Sequence, residues 1–319
     1  MRVLVTGGAG YIGSHVVRLL EERGDAVLIV DDLSNGILDR VPGHPLVQID
    51  LASAAAEETL LEAMKEHQVD SVIHFAAKKQ VGESVEKPIW YYRQNVGGLA
   101  NLLSAMERAS VNNLVFSSSA AVYGMPDVPA VDEDIECRPI NPYGQTKLIG
   151  EWMIDNARVS SGLKAVKLRY FNVAGAGWPE LADTAVMNLI PIVLDMVDRG
   201  ERPIIFGDDY DTPDGTCIRD YIHVKDLAEA HIAALDYIAA GAISQTSFNV
   251  GTGQGASVSE VIQEVSGGLG HAVDPVMGDR RAGDPPQLIA DVSRIAAELS
   301  WKAEYGLADI VQSAIAARQ

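Results

Sequence analysis

The feature that most limits what this chain can fold into is the run Gly7-Gly8-Ala9-Gly10-Tyr11-Ile12-Gly13, set directly after the apolar stretch Arg2-Val3-Leu4-Val5-Thr6. Gly7, Gly10 and Gly13 recur at every third position. A strand must turn there into a helix within a few residues, and missing side chains let backbone approach backbone. Such a turn suits the first βα unit of a parallel sheet. The sequence beyond it agrees. Strands are expected over Arg2–Val5, Ala26–Asp31, Leu46–Asp50, Ser71–Ala76, Asn113–Ser118 and Ala165–Asn172, and helices near Ile12–Glu22, Ala55–Gln68, Ile89–Ala109 and Tyr143–Val159. The strand runs are rich in Val, Ile, Leu and Phe with little alternation, as when both sheet faces are covered. The expected fold class is α/β, with a doubly wound parallel sheet of Rossmann type.

After Asn172 the pattern loosens. Gly, Pro and Asp rise between Gly175 and Asp220, and shorter elements follow: a helix near Met187–Arg199, a strand Pro203–Phe206, a helix Lys225–Ala240 and a strand Phe248–Val250. This predicts a cofactor domain over residues 1–172 and a smaller, irregular α/β substrate domain over 173–319, with elements at about 220–250 packing back on the first.

Charge narrows the partners. The chain carries 25 Lys and Arg against 44 Asp and Glu, a formal net charge of −19. It has no Lys/Arg-rich cluster, so nucleic acid and anionic membranes are poor partners. No apolar run is long enough for a membrane span. A strand beginning at Arg2 leaves no room for a leader, which predicts a cytoplasmic protein. Cys137 and Cys217 form neither a metal pair nor a disulfide framework, and read as ordinary cytosolic thiols. No metal is expected.

An acidic chain can still bind a small polyanion through oriented backbone amides. At the glycine turn, a pyrophosphate would sit on the N-terminus of the helix opening at Ile12. Asp31 ends the second strand, where a carboxylate suits the ribose hydroxyls of an adenosine and repels a 2′-phosphate. That pattern points to NAD rather than NADP. Asp50, at the end of the third strand, either accepts from the adenine amino group or is an ordinary loop aspartate.

A second constellation lies further on. The fifth strand ends in Ser117-Ser118-Ser119, and Asn141-Pro142-Tyr143-Gly144-Gln145-Thr146-Lys147 follows. Asn is a good N-cap and Pro suits the first helical position, so Tyr143 falls in the first turn, with Lys147 one turn on along the same face. A free tyrosine titrates near pH ~10 and is a poor base at neutral pH. Lys147 and the helix N-terminus are expected to favour the phenolate. A lowering of three units needs roughly 4 kcal/mol, which a close ammonium in a partly dry site can supply. Ser119 would hydrogen-bond the reacting oxygen and relay the proton. The serines end a strand at the carboxyl edge of the sheet, where ligands of open α/β sheets bind.

Together these stretches resemble the extended short-chain dehydrogenase/reductase family, and within it the enzymes that epimerise UDP-hexoses. The resemblance runs along nearly the whole chain. It is carried by the glycine turn through His15, and by Asp31-Asp32-Leu33-Ser34-Asn35-Gly36, His74-Phe75-Ala76-Ala77-Lys78-Lys79 and Val81-Gly82-Glu83-Ser84. Further on come Ser117 to Gly124, Asn141-Pro142-Tyr143-Gly144, Arg169-Tyr170-Phe171-Asn172, Gly215 to Val224 and Arg280-Arg281-Ala282-Gly283-Asp284. It implies interconversion of UDP-galactose and UDP-glucose, as in galactose metabolism. NAD oxidises C4 of the hexose, the 4-keto sugar turns over while its UDP stays anchored, and C4 is reduced from the opposite face. Ser119, Tyr143 and Lys147 would be catalytic. Gly7, Gly10, Tyr11, Ile12, Gly13, Asp31, Asn35, Asp50, Leu51, Phe75, Ala76, Lys79, Asn95, Ser117, Tyr143, Lys147 and Tyr170 would contact NAD. Lys79, Ser119, Tyr143, Asn172, Asn188, Ile204, Phe206, Arg219, Arg281 and Asp284 would hold the UDP-sugar. Lys79 also reads as an ordinary solvated lysine. Arg219 either clamps the diphosphate with Arg281 or pairs with Asp220 or another nearby acid. Family members are often homodimers, for which the helices near Ile89–Ala109 and Tyr143–Val159 are candidates.

Departures qualify the resemblance. Ala121 stands where many members carry Thr. The stretch Val173–Asp183 is short. Leu288 occupies a position where bulk is associated with excluding N-acetylated sugars, so the lean is toward UDP-glucose over UDP-N-acetylglucosamine. A dehydratase or decarboxylase is disfavoured, because Ser119 is followed by Ala120-Ala121 with no carboxylate. A 4-epimerase of UDP-glucuronate stays open. A catalytically silent NAD-sensing protein is disfavoured because both Tyr143 and Lys147 are present.

Overall fold

The computed structural model describes residues 1–241, 243–281 and 283–318. In chain order the first elements are β1 (Arg2–Thr6), α1 (Tyr11–Arg23), β2 (Ala26–Asp31), β3 (Leu46–Gln48), α2 (Ala56–Glu66), β4 (Ser71–His74), α3 (Val81–Glu86), α4 (Pro88–Tyr91), a π-helical turn (Tyr92–Gly97), α5 (Gly98–Ala109), β5 (Asn113–Ser117), α6 (Pro142–Ser161) and β6 (Lys164–Tyr170). Then come β7 (Asn172–Ala174), α7 (Leu189–Asp198), β8 (Ile204–Phe206), β9 (Ile218–His223), α8 (Val224–Ala240), β10 (Ser247–Val250), β11 (Gly255–Ser257), α9 (Val258–Leu269), β12 (Val276–Gly278), β13 (Gln287–Leu288), α10 (Ser293–Leu299) and α11 (Leu307–Ala316). Among the described residues, no helix is long and apolar enough to cross a membrane.

The chain forms two compact units. One comprises Met1–Gly124, Cys137–Arg169 and Ala228–Phe248, the other Met125–Glu136, Tyr170–Leu227 and Asn249–Gln319.

The first unit is built on a seven-stranded sheet of order β10-β6-β5-β4-β1-β2-β3. β1 through β6 pair in parallel. The chain runs from β1 outward to β3 and then returns to β4 on the other side of β1. That reversal leaves a crevice beyond the carboxyl ends of β1 and β4. Leu4, Val72 and Leu114 of the strands are fully buried with Leu60 and Met64 of α2 and Leu99, Leu102 and Met106 of α5. This burial is why the strands read as unbroken apolar runs.

Two differences from the sequence reading have local causes. The single helix expected over Ile89–Ala109 is α4, the π-helical turn and α5. Within that turn the Asn95 side chain bridges the Lys78 backbone, accepting from its N–H at 2.8 Å and donating to its carbonyl at 2.9 Å. π-Helical turns of this kind recur at functional sites. The strand expected to run to Asn172 stops at Tyr170, and Asn172–Ala174 pairs with β9 in another sheet.

In the second unit, β9 is flanked by β11, β13 and β7, and β8 pairs in parallel with β12. Its core joins Ile190 and Leu194 of α7 to Val261 and Val265 of α9 and Ile310 and Ile315 of α11. The buried Asp220 of β9 accepts hydrogen bonds from the Thr252 N–H and hydroxyl (both 2.8 Å), the Gly253 N–H (2.9 Å) and the Ala290 N–H (3.2 Å). A carboxylate so satisfied fixes the loops around β9.

Candidate active site

The glycine turn sits at the carboxyl end of β1, in the crevice of the first unit. Gly7 has φ +71, and a Cβ there would lie 2.8 Å from the Ala76 nitrogen. A Cβ on Gly13 would lie 2.2 Å from the Gly7 carbonyl oxygen. Gly10 caps α1 in an extended conformation with no side-chain cap, and the first turn holds no acidic residue. The helix start is therefore an uncapped set of N–H groups in a hollow only glycine permits, which fits a dinucleotide pyrophosphate. Asp31 closes the hollow: one carboxylate oxygen accepts the Ala9 N–H at 3.0 Å and the other the Leu33 N–H at 2.9 Å. Burial pushes its carboxyl up and these bonds oppose that. Each oxygen keeps a lone pair for a ribose hydroxyl.

Around the turn, Tyr11 and Leu51 are buried, Phe75 and Ala76 half-buried, and Asn35, Asp50 and Lys79 exposed. Asp50 accepts from the Ala52 N–H at 2.8 Å and from Gln94 Nε2 at 3.1 Å, so it shapes its own loop. The neighbouring cation is the more engaged one. Lys78 Nζ donates to Asp32 Oδ2 at 3.0 Å and to Ser34 Oγ at 2.8 Å, tying the loop after β2 to the loop after β4. Asn95 also donates to Thr146 Oγ1 at 3.0 Å. Tyr170, half-buried, belongs to the second unit.

The serines, Tyr143 and Lys147 come together in the first unit. Asn141 caps α6 through its side chain, which accepts the Gly144 N–H at 2.9 Å, and Pro142 occupies the first turn. The helix thereby starts where the sequence predicts and presents Tyr143 and Lys147 to the end of β5. The Ser119 hydroxyl hydrogen-bonds the Tyr143 phenol. Lys147 Nζ donates to the Ser117 carbonyl at 2.7 Å and lies 5.1 Å from the Phe116 ring centre. Ser117 Oγ is 2.7 Å from His231 Nε2 of α8.

One expectation is reversed. The sequence predicts a phenol held below its ordinary value by Lys147. In the structure, burial raises the Tyr143 phenol, and the Ser119 hydrogen bond offsets this only in part. Burial likewise pushes Lys147 down to about 8, opposed by Glu151. The cause is common to both: in a pocket without bulk water, desolvation penalises phenolate and ammonium alike.

The second unit collects the other expected residues. Arg281 stacks its guanidinium carbon 3.9 Å from the centre of the Phe206 ring. Arg219 lies in β9 with its guanidinium 3.6 Å from Asp284, and donates to the Ile218 carbonyl at 2.8 Å. Its acidic partner is thus Asp284, while Asp220 is satisfied by Thr252, Gly253 and Ala290. Asn172 hydrogen-bonds the Tyr221 phenol. Asn188 heads α7 and donates to Asp183 at 3.1 Å. Ile204 is exposed in β8. Leu288 of β13 pairs in register with Arg219.

Comparison with known proteins places this geometry. A profile of the NAD dependent epimerase/dehydratase family matches residues 3–251. The chain belongs to that family. A relative named UDP-glucose 4-epimerase from Azospirillum brasilense is 48% identical, covering 98% of this chain and 91% of its own. A crystal structure of UDP-glucose 4-epimerase from Brucella ovis in complex with NAD superposes with a TM-score of 0.92 at 42% identity, covering 98% of this chain and 97% of that one. Another, from Stenotrophomonas maltophila with bound NAD and formylated UDP-arabinopyranose, gives 0.91 at 40% identity, covering 98% and 96%.

Within this epimerase/dehydratase frame, sequence reasoning passed over residues that the structure puts beside the serines. Glu151, one turn beyond Lys147, accepts from Ser118 Oγ at 2.5 Å and from Arg169 Nε at 3.0 Å and Nη2 at 2.6 Å. His231 was equally invisible, because it arrives from a helix far along the chain. The only signal for Glu151 was its spacing from Tyr143 and Lys147 on one helix face.

Proposed function

We propose that this protein interconverts UDP-galactose and UDP-glucose by oxidation and re-reduction at C4, with NAD retained between turnovers. The observation that carries this reading is the Ser119–Tyr143 hydrogen bond beside Lys147, in a unit that also holds the uncapped glycine turn. NAD, when bound, takes hydride from C4 and returns it. Tyr143 accepts the 4-hydroxyl proton, with Ser119 bonded to the same oxygen as relay. Because burial disfavours the phenolate, Tyr143 acts through this short relay and the Lys147 charge together. Gly7, Gly10, Tyr11, Ile12, Gly13, Asp31 and Lys79 bind the cofactor's phosphates and ribose, while Asn35, Asp50, Leu51, Phe75, Ala76, Asn95, Ser117 and Tyr170 complete its contacts. The first unit is the cofactor half. The second anchors the UDP-sugar: Arg219 and Arg281 hold the diphosphate, Phe206 and Ile204 supply apolar wall, and Asn172, Asn188 and Asp284 bond polar groups.

The test is a coupled assay on purified protein without added NAD. UDP-galactose yields UDP-glucose, and denaturation releases NAD. If none of UDP-galactose, UDP-N-acetylgalactosamine and UDP-galacturonate turns over, the reading is wrong. Turnover of the second would show that Leu288 admits an acetamido group.

We read the chain as a cytoplasmic homodimer. Val85 of α3, Ile89 of α4, and Trp152 and Val159 of α6 are 62%, 65%, 57% and 90% exposed, an apolar surface unusual for a monomer. Sedimentation should give twice 34.1 kDa. Trp152→Glu should halve that mass, and an unchanged mass would place the contact elsewhere.

A further inference from the structure

Three consecutive serines at the end of β5 each engage one of three residues on α6 at four-residue spacing. The Ser117 carbonyl accepts from Lys147, the Ser118 hydroxyl donates to Glu151, and the Ser119 hydroxyl bonds the Tyr143 phenol. Of these three helix residues Glu151 is the least exposed, at 2%. Arg169 of β6 grips its carboxylate through two nitrogens and donates to Tyr123 Oη at 3.1 Å. We propose that Glu151 is a positioning residue for the epimerase reaction: through Ser118 it fixes the register of Ser119 against Tyr143, and its buried carboxylate, one turn along the helix, sets the charge beside Lys147. This rests on the functional reading above.

The surroundings isolate that charge. On β4, His74 faces Lys147 and is pushed down to about 3 by burial, so it is neutral. On α4, Tyr91 faces Tyr143 and is held protonated by burial and by its bond to Glu83. Cys137, near Glu151 and Arg169, is raised by burial and stays a thiol. Tyr123 lies beyond Arg169. Among the described residues, the charge that acts on Lys147 at assay pH therefore comes from Glu151, and Tyr143 lies one turn further along the same helix.

Glu151→Gln keeps the shape and removes the charge. Loss of a nearby negative charge favours proton loss from both Tyr143 and Lys147. Both limbs of the pH–rate profile should then move to lower pH, by about one to two units. The turnover lost above neutral pH, about tenfold or more, should partly return on acidification. Phenolate absorbance, taken as the difference between each protein and its Tyr143→Phe counterpart, reads the same shift without turnover. A wild type inactive on every UDP-hexose defeats the functional reading, while an unmoved phenolate titration in Glu151→Gln defeats this one. A variant with a lower melting temperature but wild-type limbs also overturns it. Should Glu151→Gln fail to fold, Ser118→Ala tests the register alone. Its kcat should fall at least fivefold at an unchanged profile, and a wild-type kcat rejects the assignment.

Discussion

Tyr143→Phe should lower kcat about 10³–10⁴-fold while NAD stays bound. The substitution removes one oxygen from a buried ring and leaves the helix start untouched, because the cap belongs to Asn141 and Pro142. A positioned general base contributes roughly 10²–10⁴-fold. The upper part of that range applies because, among the described residues, the titratable neighbours of this pair are otherwise engaged. Lys147 is held by the Ser117 carbonyl, and His74, neutral in its pocket, is bonded to Thr6 Oγ1 at 2.7 Å. Steady-state kinetics with bound NAD measured on the same sample checks this. KM should change little, since the role proposed for the phenol is at the reacting oxygen. A loss below tenfold would mean that another base takes the proton.

Gly13→Ala should leave the protein without NAD and less stable. The new methyl would meet the Gly7 carbonyl oxygen at 2.2 Å and the Gly8 Cα at 2.9 Å, both backbone, so no side chain can swing aside. The same carbonyl accepts the Gly10 N–H at 3.1 Å, and relieving the clash breaks the turn that aims the start of α1. Overpacking of this kind costs about 1–3 kcal/mol or more, which for a unit of this size lowers Tm by several degrees. Cofactor content after purification should fall to near zero. Gly267→Ala is the control. Gly267 sits inside α9 with nothing within 4 Å of its added Cβ. That change should be neutral or stabilise by up to about 1 kcal/mol. Equal losses in the two variants would reject the steric argument.

Legibility in the sequence followed the range of the interactions. The glycine turn, the Asn141-Pro142 helix start and the spacing of Tyr143 and Lys147 are local signals, and each appears where its chemistry requires. The parallel sheet was readable because strands covered on both faces lose alternation. Glu151, Arg169 and His231 were not readable as a site, since their partnerships join residues far apart in sequence. The direction of the Tyr143 shift is hidden for a related reason: spacing reveals a neighbouring charge but not how dry the pocket is. Ser257 and Glu260 form a capping box at the start of α9, written plainly in the sequence but set among glycines that suggest loop.

The unit that carries Ser119, Tyr143 and Lys147 takes its last stretch from Ala228–Phe248. That stretch brings His231 to Ser117, and packs its ring 4.6 Å from Phe75. During synthesis the amino-terminal strands leave the ribosome long before this helix exists. Until it arrives, Ser117 lacks its buried partner and β6 presents a bare flank. A fragment ending near residue 172 is therefore not a small cofactor protein awaiting a second module. It is an intermediate with an open edge, and the nascent chain can join Ser117 to His231 and cover β6 only after most of its length has emerged.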